Sequence, residues 1–295
     1  MSIVLPAIGF GLITASILAI AAVGFTLQFG ATNVLNLAYA DTMTAAAFIA
    51  YMVTHAGLSI WVALIAGTVF GAVASFALNR FVYVPYVRRG TKLFGMVILT
   101  IAVSIIIQFG LMAIYGSDFY NLQSSSGSSF KIGPFIFTAI QIAIIVIAVV
   151  AMLAVHLLLT YTKLGKAMRA TANDPDLARD CGINTDRVID LVWLVSGALC
   201  GLAGVVLVMN VTGFDVTTGN GFLIPILAVA ILGGIGQARG AMLGALVIGI
   251  ASEVAGAVIS PGYKTVVAFV ILVLVLLFRP QGILSEVATQ KELAA

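Results

Sequence analysis

KLGKAMRATANDPDLARDCGINTDRVID, residues 163–190, is a polar island in an otherwise apolar chain. It holds ten charged side chains, from a total of 14 Lys plus Arg and 11 Asp plus Glu. Hydrophobic runs long enough to cross a bilayer flank it, so the island has to lie in water beside one. Leu164, Ala167, Met168 and Thr171 fall at i, i+3, i+4 and i+7, which predicts an amphipathic helix with Lys163, Lys166 and Arg169 off its apolar stripe. Asp174 then stands where an N-cap belongs, Pro175 at the first helical position and Gly182 at a left-handed stop, which predicts a second, short helix. Two such helices, held outside the membrane, need a surface to pack against.

Composition sets the class. The chain is 62% hydrophobic and 8% charged, with a mean hydropathy of +1.18. A soluble domain carries roughly 25% charged residues, so one soluble core is excluded. Alternating long apolar runs favour helices over a barrel, and the expected fold is an all-α polytopic membrane protein, one transmembrane domain over residues 1–295. No basic region precedes the first apolar run in MSIVLPAIGF, so no cleaved signal is expected. Cys181 and Cys200 show no metal-ligand pattern, and their surroundings make a disulfide improbable. No GxxxxGK[ST] loop is present in the sequence, so ATP-driven work would require another chain to hydrolyse the nucleotide.

Apolar runs at 5–29, 37–53, 58–78, 94–115, 135–159, 191–209, 222–235, 241–259 and 266–278 predict about eight to nine transmembrane helices. The 222–235 run is short enough to be either a crossing or a re-entrant half-helix. If it crosses, Arg80, Arg88, Arg89, Lys92, the island's five basic residues, Arg239, Arg279 and Lys291 share one side, leaving Lys131 and Lys264 on the other. That asymmetry puts the island and the polar tail at 279–295 in the cytoplasm and the N-terminus outside. Residues 116–134 and 210–221 read as loops. Gly197, Gly201 and Gly204 predict a helix that approaches its neighbours closely. GGIGQARG (233–240) lacks a preceding strand and GxGxxG spacing, so it reads as a tight turn between membrane helices.

Four blocks then align with a known pattern: GFTLQFGATNVLNLAYAD (24–41), LGKAMRATANDPDLARDCGIN (164–184), AILGGIGQARGAMLGALVIG (230–249) and RPQGIL (279–284). In order and spacing they resemble the permease subunits of ATP-binding-cassette importers of the branched-chain amino acid family, over residues 11–284. The island is similar to the looser importer signature, a Glu-Ala-Ala triplet with glycine four residues after its last alanine. Here Asp176 and Leu177 depart from the triplet, while Ala178 and Gly182 keep the spacing. The resemblance implies that the island couples to an ATPase, through Arg169, Asp174, Asp176, Ala178 and Gly182. It also implies a homologous second permease, two ATPase subunits that bind the ATP and Mg, an extracytoplasmic solute-binding protein, and an inner-membrane location. No cofactor is implied for this chain, and no nucleic acid partner. The bland alternative for the island is a solvated basic loop.

Polar groups inside hydrocarbon are costly unless they face a cavity or partner. Asn33, Asn36 and Asp41, around a break near residues 30–41, suggest a discontinuous helix lining a substrate path. For the asparagines, interhelical hydrogen bonding is an equal alternative, and for Asp41 an interfacial position. Where the family usually reads NLAHGE this chain has NLAYAD (36–41), keeping the acid but leaving the solute open among branched-chain amino acids, amides, urea and small carboxylates. Glu253 is a further candidate for the path or for contact with the partner permease, against a local hydrogen bond. Gln28, Gln108 and Gln141 are further polar residues in apolar runs. An ion-coupled secondary transporter is the competing function. It needs a titratable relay, for which Asp41, Glu253 and His156 are few and dispersed. No Ser–His, paired Asp or HExxH arrangement in a span supports an intramembrane enzyme.

Overall fold

Inside hydrocarbon each backbone N–H and C=O must be bonded within its own segment or to a neighbouring strand, so apolar runs of this length become helices. The computed structural model describes residues 4–122, 129–132, 135–234, 236–278 and 282. In chain order it contains α1 (Val4–Thr32), α2 (Tyr39–His55), α3 (Ile60–Ala77), a π-helical segment (Leu78–Tyr83), α4 (Val84–Arg88) and α5 (Leu93–Tyr115). A hairpin of β1 (Ser129–Ile132) and β2 (Phe135–Thr138) leads to α6 (Ala139–Tyr161), α7 (Lys163–Asn173), α8 (Pro175–Asp180) and α9 (Thr185–Asn210). The chain continues through α10 (Thr218–Gly233), α11 (Ala238–Val258) and α12 (Tyr263–Phe278). Among the described residues, six helices are long and apolar enough to cross a membrane: α1, α3 with its continuation to Arg88, α5, α6, α9 and α11. The helices α10 and α12 are shorter and apolar, and with α2, which packs against α10, they account for the expected eight to nine.

The bundle has two chemically distinct ends. At one, the island end, the break after α1 comes close to the α10–α11 turn, where a Cβ on Gly30 would lie 3.0 Å from the Gly236 Cα. Arg239 there donates to Thr160 Oγ1 at 3.3 Å, just before α7 begins. At the far end, Tyr120 and Phe214 exchange backbone hydrogen bonds of 2.8 and 2.9 Å. Around them Phe48, Tyr51 and Tyr115 form an aromatic cluster, the arrangement that favours a membrane–water boundary.

Close helix packing follows the small residues. A Cβ on Gly71 of α3 would fall 2.4 Å from Gly197 O, and one on Gly201 would fall 2.3 Å from Gly67 O. A Cβ on Gly204 would meet Met43 O of α2 at 2.1 Å. Thus α9 lies against α3 and α2 with backbone on backbone, as its glycines predict. The α10–α11 turn is equally tight, since a Cβ on Gly233 would sit 2.3 Å from Gly240 C. Of the crossing helices, α1 and α9 are largely buried, while α3, α5 and α6 expose most of their surface.

Three boundaries differ from the sequence reading. The antiparallel hairpin, registered Phe130 to Phe137, takes the end of the 116–134 loop and the start of the 135–159 run, because the two segments satisfy their backbones by pairing. The helix α6 therefore starts at Ala139, and Gln141 is not a membrane-depth group. Its side chain accepts from Thr138 N at 2.9 Å in a reciprocal capping box. The last residues of the island are the first turns of α9, begun when the Asn184 side chain accepts from Arg187 N at 3.1 Å. The 210–221 loop shrinks to 211–217, since α10 begins at Thr218. Its first turn sits beside α2, with Gly219 N–H donating to Thr44 Oγ1 at 3.0 Å, and its last packs on Gly240. The tail at 279–295 lies outside the described residues apart from Gly282.

Candidate functional site

The helix α1 stops where Asn33 takes a left-handed backbone, φ 51°, a conformation asparagine tolerates better than most residues. Residues 33–36 are non-helical and α2 starts only at Tyr39, so the broken helix expected near 30–41 is present. Asn33 is exposed at the break. Asn36 is buried, and its Oδ1 accepts from the Tyr83 hydroxyl at 3.0 Å. Thr100 Oγ1 of α5 donates to Leu35 O at 3.0 Å. One turn further on, Ser104 Oγ donates to Asp41 Oδ2. Ser104 lies about half-way along the 23 residues of α5, roughly 16 Å from its start. Asp41 is therefore deep in the layer and 1% exposed.

The seam continues upward. Ser196 Oγ donates to Gln28 Oε1 at 3.2 Å, and the Tyr39 hydroxyl donates to Ala21 O at 3.0 Å. Asp41 Oδ1 and Gln28 Nε2 are buried with no hydrogen-bond partner among the described residues. A buried acid with one bare oxygen is expensive, so this seam is a place where a polar solute or water has something to satisfy. It is covered on one side by α5, of which only Met96, Thr100 and Val103 are buried.

The island folds as the two short helices its sequence predicts, α7 and α8. The Thr162 side chain caps α7 by accepting from Gly165 N at 3.0 Å, and Arg169 Nη1 donates to Leu159 O at 2.6 Å, tying α7 to the end of α6. Asp174 Oδ1 accepts from Asp176 N and Leu177 N, both at 3.0 Å, at the start of α8. At its end Gly182 has φ 84°, with Gly182 N donating to Arg179 O at 2.9 Å and Ile183 N to Ala178 O at 2.9 Å. Those two bonds define a Schellman stop. Met168, Thr171 and Ala178 face inward, while Leu177 is 60% exposed on the outer side.

Between break and island lies a cavity of about 430 Å³. Its wall combines Asn33 and Val34, the π-helical Asn79, Arg80 and Tyr83, Thr171 and Arg179, and Asp186 and Asp190 of α9. Arg80 pairs with Asp190 at 3.6 Å and Arg88 with Asp186 at 3.3 Å, while Asn79 Nδ2 donates to Asp190 Oδ1 at 3.1 Å. Tyr83 forms the roof and joins the cavity to Asn36 and the seam above.

This architecture matches known proteins. Residues 7–276 fit the family model described as branched-chain amino acid transport system, permease component. The chain belongs to that family. It is 32% identical over 296 residues to the high-affinity branched-chain amino acid transport system permease protein LivH of Salmonella typhimurium, covering 95% of each chain. It is 31% identical to the BraD protein of Pseudomonas aeruginosa, again over 95% of each. Among solved structures, PsaBC from Streptococcus pneumoniae in complex with Fab superimposes with a TM-score of 0.52 at 13% identity, over 92% of this chain and 91% of that one. The last is a likeness of fold. The protein is thus a multi-pass membrane permease, a non-enzymatic transport subunit that works within a system of several subunits.

In this branched-chain-type permease the candidate residues fall into separate groups. Asn36 and Asp41 share the deep seam, Asn33 opens onto the cavity, and Arg169, Asp174, Asp176, Ala178 and Gly182 build the island. Glu253 belongs to neither. Its carboxylate accepts from Lys264 Nζ at 2.8 and 2.7 Å and from Thr14 Oγ1 at 2.9 Å, fastening α11, α12 and α1. Tyr83, Ser104 and Thr100 carry the seam without having been singled out in sequence. The signal available was an asparagine, Asn79, just past an apolar run and four residues before Tyr83. The π-helical turn that places Tyr83 leaves no residue pattern of its own.

Proposed function

We propose that the chain is the membrane-spanning permease of an ATP-binding-cassette importer for branched-chain amino acids. It pairs with a homologous permease, receives solute from an extracytoplasmic binding protein, and is driven by two ATPase subunits that bind the ATP and Mg. The observation that carries this reading is α8: a six-residue helix capped at both ends, seated by Ala178 and presenting Leu177 to solvent. A short helix so constrained transmits displacement instead of absorbing it. Its inner face looks across the cavity to the α1 break, so a push on α8 is delivered where the seam begins. The branched-chain solute is favoured by the relatives' names and by nothing in the seam itself.

Orientation follows charge. Arg80, Arg88, Arg89, Lys92, the island's basic residues and Arg239 gather at the island end, whereas Lys131 and Lys264 belong to the far-end hairpin and the start of α12. The island end is accordingly cytoplasmic and the N-terminus outside. Asn36 and Asp41 line the path, with α5 as the cover that moves. Glu253 holds the α11–α12 corner.

The test is reconstitution with the partner subunits in liposomes. Leucine uptake should require ATP and the binding protein, and Asp41→Asn should lower it about ten-fold or more without loss of assembly, since the side chain keeps its size while one acceptor oxygen becomes a donor. Uptake that survives removal of the ATPase subunits, or collapses with an ionophore, would favour the ion-coupled alternative.

A further inference from the structure

We propose that the cavity between the α1 break, the π-helical turn and α8 is a product-side binding site for a hydrophobic α-amino acid, through which accumulated solute slows further import. The ligand class rests on the solute reading above, while the site rests on its own geometry. At about 430 Å³ the cavity is within the range of small-molecule pockets and larger than one amino acid needs. Its wall has the three features such a ligand demands. Arg80, Arg88 and Arg179 stand with Asp186 and Asp190 on the wall, so both signs are present, and Arg179 is itself paired with Asp176 at 3.5 Å and with Asp186 at 4.0 Å. Val34, Val84, Val87 and Ile189 supply an apolar patch beside them. Thr171, fully buried at the wall, has a hydroxyl with no partner among the described residues.

The ion pairs do not argue against a ligand. Arg80–Asp190 at 3.6 Å and Arg88–Asp186 at 3.3 Å are long, and their arginines are 48% and 64% exposed. Pairs of that kind contribute little, so a zwitterion can take the arginine with its carboxylate and the aspartate with its ammonium at small cost. A buried hydroxyl left bare is the converse, a group that gains when something polar arrives. Occupancy would also have a mechanical effect. One ligand would touch α7 and α8 through Thr171 and Arg179, the break through Val34, and the π-helical turn through Arg80. It would join the helix that receives force to the break that must move, and hold the resting arrangement. The π-helical geometry at this wall is the kind often found at functional sites.

The experiment uses the complete complex in liposomes, with the ATPase subunits outward and the binding protein and leucine in the lumen. L-Leucine is then added on the ATP side, and ATP hydrolysis is compared with and without it in each variant. In parallel, radiolabelled leucine is titrated onto the purified full chain in detergent, in the presence of acetate or sulfate as competitors. The proposal expects hydrolysis to fall about three-fold or more with product, and saturable binding weakened about ten-fold by Val84→Trp, which fills the cavity. Where Val84→Trp fails to assemble, Thr171→Val, nearly the same shape without the hydroxyl, carries the comparison. Leucine uptake with no effect of product and no binding to the chain overturns this inference and leaves the import reading standing. Binding sensitive to these variants without leucine uptake supports the site and overturns the solute reading. Absence of both overturns the two together. Equal competition by acetate or sulfate overturns the amino-acid site in favour of a general anion site.

Discussion

Asp174 shows how much one side chain can decide. Its carboxylate takes two backbone N–H groups at 3.0 Å and so starts α8 where a sequence of six residues could not hold a helix alone. Asp174→Ala is expected to cost about 1 kcal/mol locally, seen as faster hydrogen exchange across α8 with no change in the membrane helices. Just before α10, Asp215 ties the turn together by accepting from Thr217 N and from the Thr217 and Thr218 hydroxyls. Burial works to raise its pKa, but hydrogen bonds from Thr218 and Thr217 outweigh that and hold it below the usual carboxylate range. A carboxylate depressed in the folded state stabilises it above the ordinary value of about 3.9, and that contribution is lost as pH falls through the lower folded value. The protection factors of amides at the first turn of α10 should therefore fall on strong acidification, and Asp215→Asn should remove that fall. Asp215 lies in a stretch that reads as loop, but the Asp174 cap is legible in sequence, because capping chemistry is local and Pro175 follows it. The partners of Asp41 and Glu253 are not. Ser104 and Lys264 come from other helices, and nothing near either acid in sequence names them.

At the level of elements, the α3–α9 contact tests whether glycine spacing was read for the right reason. Gly67 and Gly71 meet Gly197 and Gly201 with backbone atoms where side chains would be. Gly201→Leu has no room at 2.3 Å from Gly67 O, so it should separate the two helices and destabilise the fold by several kcal/mol, read as loss of the monodisperse protein in detergent. Gly110→Leu, on α5 with open space beside it, should be tolerated. The glycines of α9 were visible in sequence, but those of α3 that receive them became meaningful only once the two helices were paired. The same limit explains the hairpin and the length of α10. Strand pairing at 129–138 and the bond from Gly219 to Thr44 depend on which segments lie side by side, which hydropathy alone does not say.

Taken as a whole, the molecule has a deep polar seam covered by an α5 with few buried residues, a cavity at one end of the seam, and the capped helices of the island beside that cavity. Free Cys181, exposed at the end of α8, offers a reporter because Cys200 is buried. Maleimide should label Cys181 readily in the isolated chain and slowly once the ATPase subunits dock, whereas equal labelling would place the docking surface elsewhere. The most direct test of the central claim is the amount of leucine imported per ATP hydrolysed in the reconstituted complex, for the wild type and for Gly182→Val. Valine cannot comfortably adopt φ 84°, so α8 loses its fixed end while the membrane helices keep their packing. The account predicts that Gly182→Val still hydrolyses ATP but imports about ten-fold less leucine for each ATP. An unchanged ratio would contradict it.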